Sequence, residues 1–422
     1  MSESSAVFSR KWLPLLVGCL CVPVFHPASA QESVRPSLAG DRIAALQQPA
    51  IDNSTYNLKF GPALVNLSSS LQLEFNDNIT LSEHNQESDL IVRPSIGASV
   101  RWQITELNAL SLDLGIGYAK YVSHSEFDTG NLLIAPNSNL SFNIYVGDFR
   151  ITLFDQFSIQ QNPVDEITLS QVGKFERFQN AAGLTVTWDL NAVTLVSGYT
   201  NYVFKSLDSQ FQFLDRTEQQ FFTSAALRLN DATTVGLRGT GGVITYDQQF
   251  QNDGFIYSFG PFIEAQITPY LAVFLEGGYQ GGSFDTGGLN GDKSNLSGFY
   301  GRLQLRHRLN RYWTDTLSIG HEATTGLTTN TTTLTYVRYN AYWRVNSRTD
   351  LDLAAFYEHA DDSSGVFQSE SVDRVGFSVS IGYTVGKHTV VSLGYQYLDR
   401  ASDLADRSYR QNQFLWTVSY AF

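Results

Sequence analysis

The side chains best suited to chemistry are few and scattered. Seven histidines stand at His26, His84, His124, His307, His321, His359 and His388, and none forms the HExxH spacing that sets two imidazoles on one helical turn to hold zinc. His307 and His321 fall on neighbouring strand-like runs, both in the outward phase near run ends, which suits an interfacial or solvated side chain better than a ligand pair. Two loops gather oxygen ligands: Asp285-Thr286-Gly287-Gly288 with Asn290 and Asp292 nearby, and Asp361-Asp362-Ser363-Ser364. Weak Ca²⁺ binding is open to such clusters, but neither has calcium-loop spacing, so both read as solvated loops. Gly239, Gly241 and Gly242 sit inside a strand pattern and lack the lysine and helix of a phosphate loop. No serine has a base and an orienting carboxylate at recognisable spacing, so a hydrolase would have to assemble its site from distant strands. The expectation is no enzyme, no metal and no cofactor.

Composition narrows the class. Charged residues make up 16% of the 422, hydrophobic residues 42% and aromatics 13%, which excludes a disordered chain. A formal charge of -13 leaves no basic excess to neutralise phosphates, so a general nucleic-acid partner is excluded. Arg10 and Lys11, the apolar run from Trp12 to Phe25, and Ala28-Ser29-Ala30 make the three regions of a secretory signal peptide over 1–30. Leu16-Val17-Gly18-Cys19 offers a competing lipoprotein cleavage box, with a much shortened apolar run. Cleavage after Ala30 removes both cysteines, Cys19 and Cys21, and with them any disulfide or cysteine metal site. Residues 31–60 are weakly patterned and read as a periplasmic lead-in to a single unit over 61–422.

From Leu64 onward the dominant signal has period two. Leu110, Leu112, Leu114, Ile116 and Tyr118 alternate with Ser111, Asp113, Gly115, Gly117 and Ala119. A strand puts such sets on opposite faces, one apolar and one small or polar. Runs such as 88–102 and 331–346 far exceed the roughly five or six residues usual in soluble sheets. Eighteen runs fit between 64–76 and 408–422, joined alternately by short turns and long polar loops. No window after the signal is long and apolar enough for a membrane helix. The fold expected is all-β, an 18-stranded transmembrane antiparallel β-barrel with short periplasmic turns and longer extracellular loops. Alternation is imperfect in 177–188, 192–204 and 216–229, and Asp155 takes the lipid phase, which suggests a bulge or register change; sixteen strands stays open. Pro94 and Pro261 lie inside runs, where each deletes a ladder bond, and should mark bulges or misplaced boundaries.

Tryptophans supply a second signal. Trp102, Trp188, Trp313, Trp343 and Trp416 fall near short turns or the C-terminus, with Tyr270 and Tyr312 in the same layer, as a periplasmic aromatic girdle would require. The final run alternates Phe414, Trp416, Val418, Tyr420 and Phe422, and its end at Tyr420 and Phe422 resembles the assembly signal of bacterial outer-membrane proteins.

The inward phase is charged. It carries Arg93, Arg101, Arg150, Arg228, Arg238, Glu264 and Glu276, then Arg302, Arg306, Arg308, Arg338 and Arg344, with Glu322, Asp350, Asp352 and Glu358 alongside. Eighteen strands should enclose an aqueous lumen instead of a packed core. Facing Arg and Asp/Glu would then either satisfy one another in a wet interior or focus anionic solutes or acidic sugar chains.

Asn76-Asp77-Asn78-Ile79, Ile91-Val92-Arg93-Pro94-Ser95-Ile96, and Leu110 through Tyr118 and Tyr121 resemble features of the beta-barrel porin 2 family, clearest over 61–125. That family includes proteins encoded with exopolysaccharide synthesis genes. The resemblance implies an outer-membrane barrel of a Gram-negative bacterium and carries over no catalytic residue. The function expected is a polar channel for passive diffusion of small polar solutes, or an accessory to polysaccharide export, with a non-conducting structural or adhesion barrel as the alternative. The partners expected are outer-membrane lipid, lipopolysaccharide and the barrel assembly machinery.

Overall fold

The computed structural model describes residues 56–365 and 369–422. The signal peptide, its Cys19 alternative and residues 31–55 of the lead-in lie outside them. The barrel strands are β1 (Ala63–Asn76), β2 (Asp89–Thr105), β3 (Asn108–Gly117), β4 (Asn139–Val146), β5 (Phe149–Gln160) and β6 (Arg177–Asp189). Next come β7 (Val193–Ser206), β8 (Arg216–Asn230), β9 (Thr233–Tyr246), β10 (Gly254–Thr268), β11 (Leu271–Phe284) and β12 (Leu296–His307). The circuit ends with β13 (Trp313–Thr325), β14 (Thr331–Arg344), β15 (Thr349–Asp362), β16 (Ser371–Val385), β17 (Thr389–Ser402) and β18 (Tyr409–Ala421). Each pairs antiparallel with its sequence neighbours, and β1 pairs with β18 from Ser68↔Ala421 to Asn76↔Gln413, so the sheet closes with eighteen strands. A short strand at Leu58–Phe60 folds back on Ala63–Val65.

The period-two pattern decides which face meets what. Outward positions are large and apolar: Phe299 is 78% exposed, Ile96 64% and Phe221 57%, surfaces that only a lipid solvent makes favourable. The short turns are built by one local device. Thr105, Asp189, Asn230, Thr268, Asn310 and Asn346 each accept the backbone N–H two residues on, which reverses the chain without a helper strand. The register shifts in the barrel wall, at Gln103/Thr105, Arg228/Asn230 and Gln266/Thr268, fall beside these turns.

Three expected irregularities turn out otherwise. Asp155 keeps the outward phase opposite Leu140 and Ala182 in unshifted ladders, and it is satisfied there by a bond from Asn180 Nδ2. Pro94 causes no bulge: β2 stays in register with β1, while the β3 ladder pauses opposite Tyr118 and resumes at Val92↔Lys120 and Ile91↔Tyr121. Pro261 likewise sits in register with Leu237, and the β10–β11 ladder skips only from Phe259↔Tyr279 to Phe262↔Glu276. Beside Pro261, Gly260 faces Gly277 and Gly278 at very close range; a Cβ on Gly260 would lie 2.2 Å from the Gly277 carbonyl oxygen.

The expectation of a lumen without a core needs correction. The long loops are L1 (77–88), L2 (118–138), L3 (161–176), L4 (207–215), L5 (247–253), L6 (285–295), L7 (326–330), L8 (363–370) and L9 (403–408). Several fold inward and pack. Leu169 and Phe175 of L3 join Phe211 and Leu214 of L4 against Ala181, Tyr202 and Phe204 of the wall. Val164 of L3 and Leu81 of L1 join Phe356, Leu398 and Tyr409 on the far side. These inward apolar residues explain the imperfect alternation of β6 to β8: both faces of those strands bury carbon.

A Gly260→Val substitution should abolish the compact, heat-modifiable barrel species on cold gel electrophoresis. Gly298→Val, whose added carbon meets nothing within 4 Å, should leave that species intact.

Candidate inner wall and the loop across it

The sheet carries the expected charged residues to its inner face, where five of the arginines have a carboxylate partner, four of them on the adjacent strand. Arg238 Nη1 lies 2.6 Å from Glu276 Oε2, and the guanidinium also rests over the Phe262 ring. Arg302 Nη2 lies 2.8 Å from Glu322 Oε2, Arg93 Nε 2.7 Å from Glu74 Oε2, and Arg101 Nη2 2.8 Å from Asp113 Oδ2. Arg344 is 3.8 Å from Asp350, whose other bond comes from the Tyr342 hydroxyl. Arg306, Arg338 and Glu264 are half-buried on the same face, while Arg150, Arg228, Arg308 and Asp352 are exposed towards the short-turn end. Glu358 is fully buried against Arg374. On the outer face, Trp188 stacks on Phe149 at 5.1 Å and Trp313 faces Trp343 at 6.0 Å beside the periplasmic turns. Trp102 lies on the same side of the sheet, Trp416 sits four residues before Tyr420, and Phe422 donates its amide to Leu67.

L3 crosses the barrel between two arginine anchors. At its root, Arg177 pairs with Asp165 and donates to the carbonyl of Asn162. At the far wall, Arg374 Nη1 donates to Val164 O at 3.0 Å and Arg400 Nε to Ile167 O at 3.0 Å, while Arg407 reaches Thr168 O and Ser170 Oγ. Glu370 of L8 balances the pair, 2.7 Å from Arg400 and 3.0 Å from Arg407. Arg177, Arg374 and Arg400 are at most 1% exposed, which is tenable only because each guanidinium meets a carboxylate and backbone carbonyls together. None of these five residues stood out in the sequence, because their partners lie up to 239 positions away. The available signal was the apolar content of L3, with Val164, Ile167, Leu169, Val172 and Phe175 interleaved among polar residues.

The loop clusters prove to be fasteners. Asp292, expected in a solvated loop, is fully buried: it accepts the Asn330 amide at 2.8 Å, the Ser363 hydroxyl at 2.6 Å and the Ser294 amide at 2.7 Å. Asn252 Nδ2 adds bonds to Asn290, Asp292 and Asn330, so L5 to L8 form one clasp. Glu176 ties L2 to the end of L3 through Asn131 at 2.8 Å and Lys174 at 3.0 Å. Burial pushes the Glu176 carboxyl up, but those bonds outweigh it and hold it below the ordinary glutamate range. The tie is therefore complete at neutral and mildly acid pH and is lost as pH falls through that depressed value. Glu83, His84 and Asp406 bring ligand-type atoms within 4.8 Å of one another where L1 meets L9, but His84 and Asp406 are exposed and Glu83 also accepts the Ser408 amide, so they read as a surface clasp.

No family model matches the sequence, and no curated protein does. Solved structures similar in barrel form include Pseudomonas aeruginosa OccK2 (OpdF) in complex with glucuronate, at 12% identity and a TM-score of 0.49 over 85% of this chain and 98% of that one. A BenF-like porin from Pseudomonas fluorescens Pf-5 matches at 12% identity and 0.49, over 86% and 100%. Acinetobacter baumannii OccAB3 matches at 10% and 0.46, over 85% and 99%. Likeness at this level is one of fold.

Arg400→Ala should free the far end of L3 while the barrel stays folded. With charge-assisted bonds contributing about 1.5–3 kcal/mol each, trypsin cleavage at Lys174 should accelerate by about tenfold or more. Unchanged cleavage in a heat-modifiable barrel would show that the Arg400 contacts are dispensable for holding L3.

Proposed function

We propose that the protein is a passive, non-enzymatic outer-membrane channel for small polar solutes, narrowed at its extracellular mouth by L3. The observation that carries this reading is the inner face itself. Alternating positions of a closed sheet put opposite charges side by side from β9 to β15, where an apolar core would exclude them, while the outer face is apolar. Such a lining tolerates water and hydrated solutes. Because Arg238 and Arg302 each have a carboxylate at contact distance, the arginines there supply polarity with little net charge. The anion preference suggested by their number is correspondingly weak.

Assistance in exopolysaccharide export is the finer reading, supported by the sequence resemblance over 61–125. A sugar chain could pass only with L3 displaced. The C-terminal strand ending in Tyr420 and Phe422 supports recognition by the barrel assembly machinery, and the outward face supports contact with lipid and lipopolysaccharide. One observation favours a second reading, a structural barrel that does not conduct: the apolar clusters at both ends of L3.

Refolded mature chain should give stepwise conductance in planar lipid bilayers, with weak preference between chloride and potassium. A correctly folded barrel that stays silent at every voltage would overturn the channel reading in favour of the structural one.

A further inference from the structure

We propose that the route left beside L3 runs along the β1–β5 wall, and that Arg93 with Glu74 forms its charge-selecting constriction. The proposal rests on the channel reading and deepens it. Two internal cavities lie on this side. The lower, about 170 Å³, is bounded by Ser68, Ser99 and Asp113 together with Leu114 and Ile116 of the wall, by Gln160 at the end of β5 and by Asp165 in L3. The upper, about 20 Å³, is bounded by Glu74, Asn76, Tyr121, Gln411 and Gln413. Arg93, Gln161 and Asn162 line both, so they stand where one cavity gives way to the other.

The chemistry of that junction differs from the rest of the mouth. Where L3 meets the wall near Phe204 and near Phe356, carbon fills the space. At the junction the surfaces are polar: Arg93 Nε is 2.7 Å from Glu74 Oε2, and Gln161 Nε2 donates to the Tyr121 hydroxyl at 3.4 Å. Gln161 Oε1 and Gln413 Oε1 are buried there with no hydrogen-bond partner among the described residues. A buried carbonyl oxygen without a donor marks a place where a water or a solute's own donor belongs. The upper cavity has room for about one water, so its traffic is small hydrogen-bonding solutes and ions in single file. Anything larger requires L3 to leave the far wall.

A pair so placed controls charge. Together Arg93 and Glu74 are neutral, which gives weak selectivity. Remove either, and the charge of the other is no longer balanced by its counter-ion in a passage one water wide, where that charge acts at short range and little solvent screens it.

The test is reversal potential in a potassium chloride gradient across planar bilayers. Glu74→Gln should raise the chloride-to-potassium permeability ratio by about twofold or more, and Arg93→Gln should lower it by a similar factor. The double variant Arg410→Gln/Asp399→Asn, which removes an exposed balanced pair from the outer face of β17 and β18, should leave the ratio unchanged. Because breaking a buried pair can impair folding, Gln161→Ala on the loop supplies a second readout: it widens the junction without altering charge and should raise unit conductance. Ratios unmoved in conducting Glu74 and Arg93 variants, or an unchanged unit conductance in Gln161→Ala, would overturn the assignment while leaving the channel reading in place. A silent wild type would instead remove the channel reading itself.

Discussion

The pairing of β1 with β18 is the contact on which everything else depends. Within hydrocarbon an unpaired backbone amide costs several kcal/mol, so a sheet that crosses a membrane must have no edge. The ladder from Ser68↔Ala421 to Asn76↔Gln413 removes it. Once the sheet is closed, alternation has a single consequence: every even step along a strand returns to the same solvent. Phe299 and Arg302 are three residues apart and therefore face opposite media. Asp155 is the exception that measures the rule. It faces outward, and the protein retains it by supplying Asn180 as a donor instead of breaking register.

A closed sheet of this size would leave its long-loop half hollow, and the loops use that space. The result is two kinds of interior. Where L3 and L4 meet β6 and β7, carbon packs on carbon and the ordinary hydrophobic term holds the loops in place. Where L3 meets β16 and β17, guanidinium groups hold backbone carbonyls, a contact with geometric rather than merely apolar demands. Arg374, buried between Glu358 and Val164 O, cannot lose either partner cheaply, because a buried charge left uncompensated is among the costliest defects a protein can carry. Loop position and wall charge are thereby coupled.

The division between what the sequence discloses and what it hides follows from range. Strand phase is local, so the alternation of Leu110 to Ile116 and of Phe414 to Phe422 is enough to assign faces, and the charged inward phase follows with it. Asp292 looked like a solvated carboxylate because its neighbours in sequence, Gly291 and Lys293, suit a loop; its real partners are Asn330 and Ser363, on other loops. Arg400 and Ile167 meet across the barrel's full width. No spacing rule relates such residues. Only the count and apolar content of the long loops hinted that they turn inward.

Pro94 shows how a local defect can be put to use at long range. Lacking an N–H, it cannot answer the carbonyl of Tyr118, so the β2–β3 ladder has a gap there, although Tyr118 still donates to Pro94 O. The gap does not shift the register. It lets L2 leave the sheet and rejoin it for two residues, Lys120 opposite Val92 and Tyr121 opposite Ile91. Since Ile91 and Arg93 share the inward phase, Tyr121 is delivered to the inner face beside Arg93, buried at 5% exposure and within reach of Gln161. An unbroken strand would carry L2 straight up and away from the lumen. A bulge would turn Tyr121 outward into lipid. The pause without a shift is the one arrangement that brings a phenol, a guanidinium and a loop amide together where the two cavities meet.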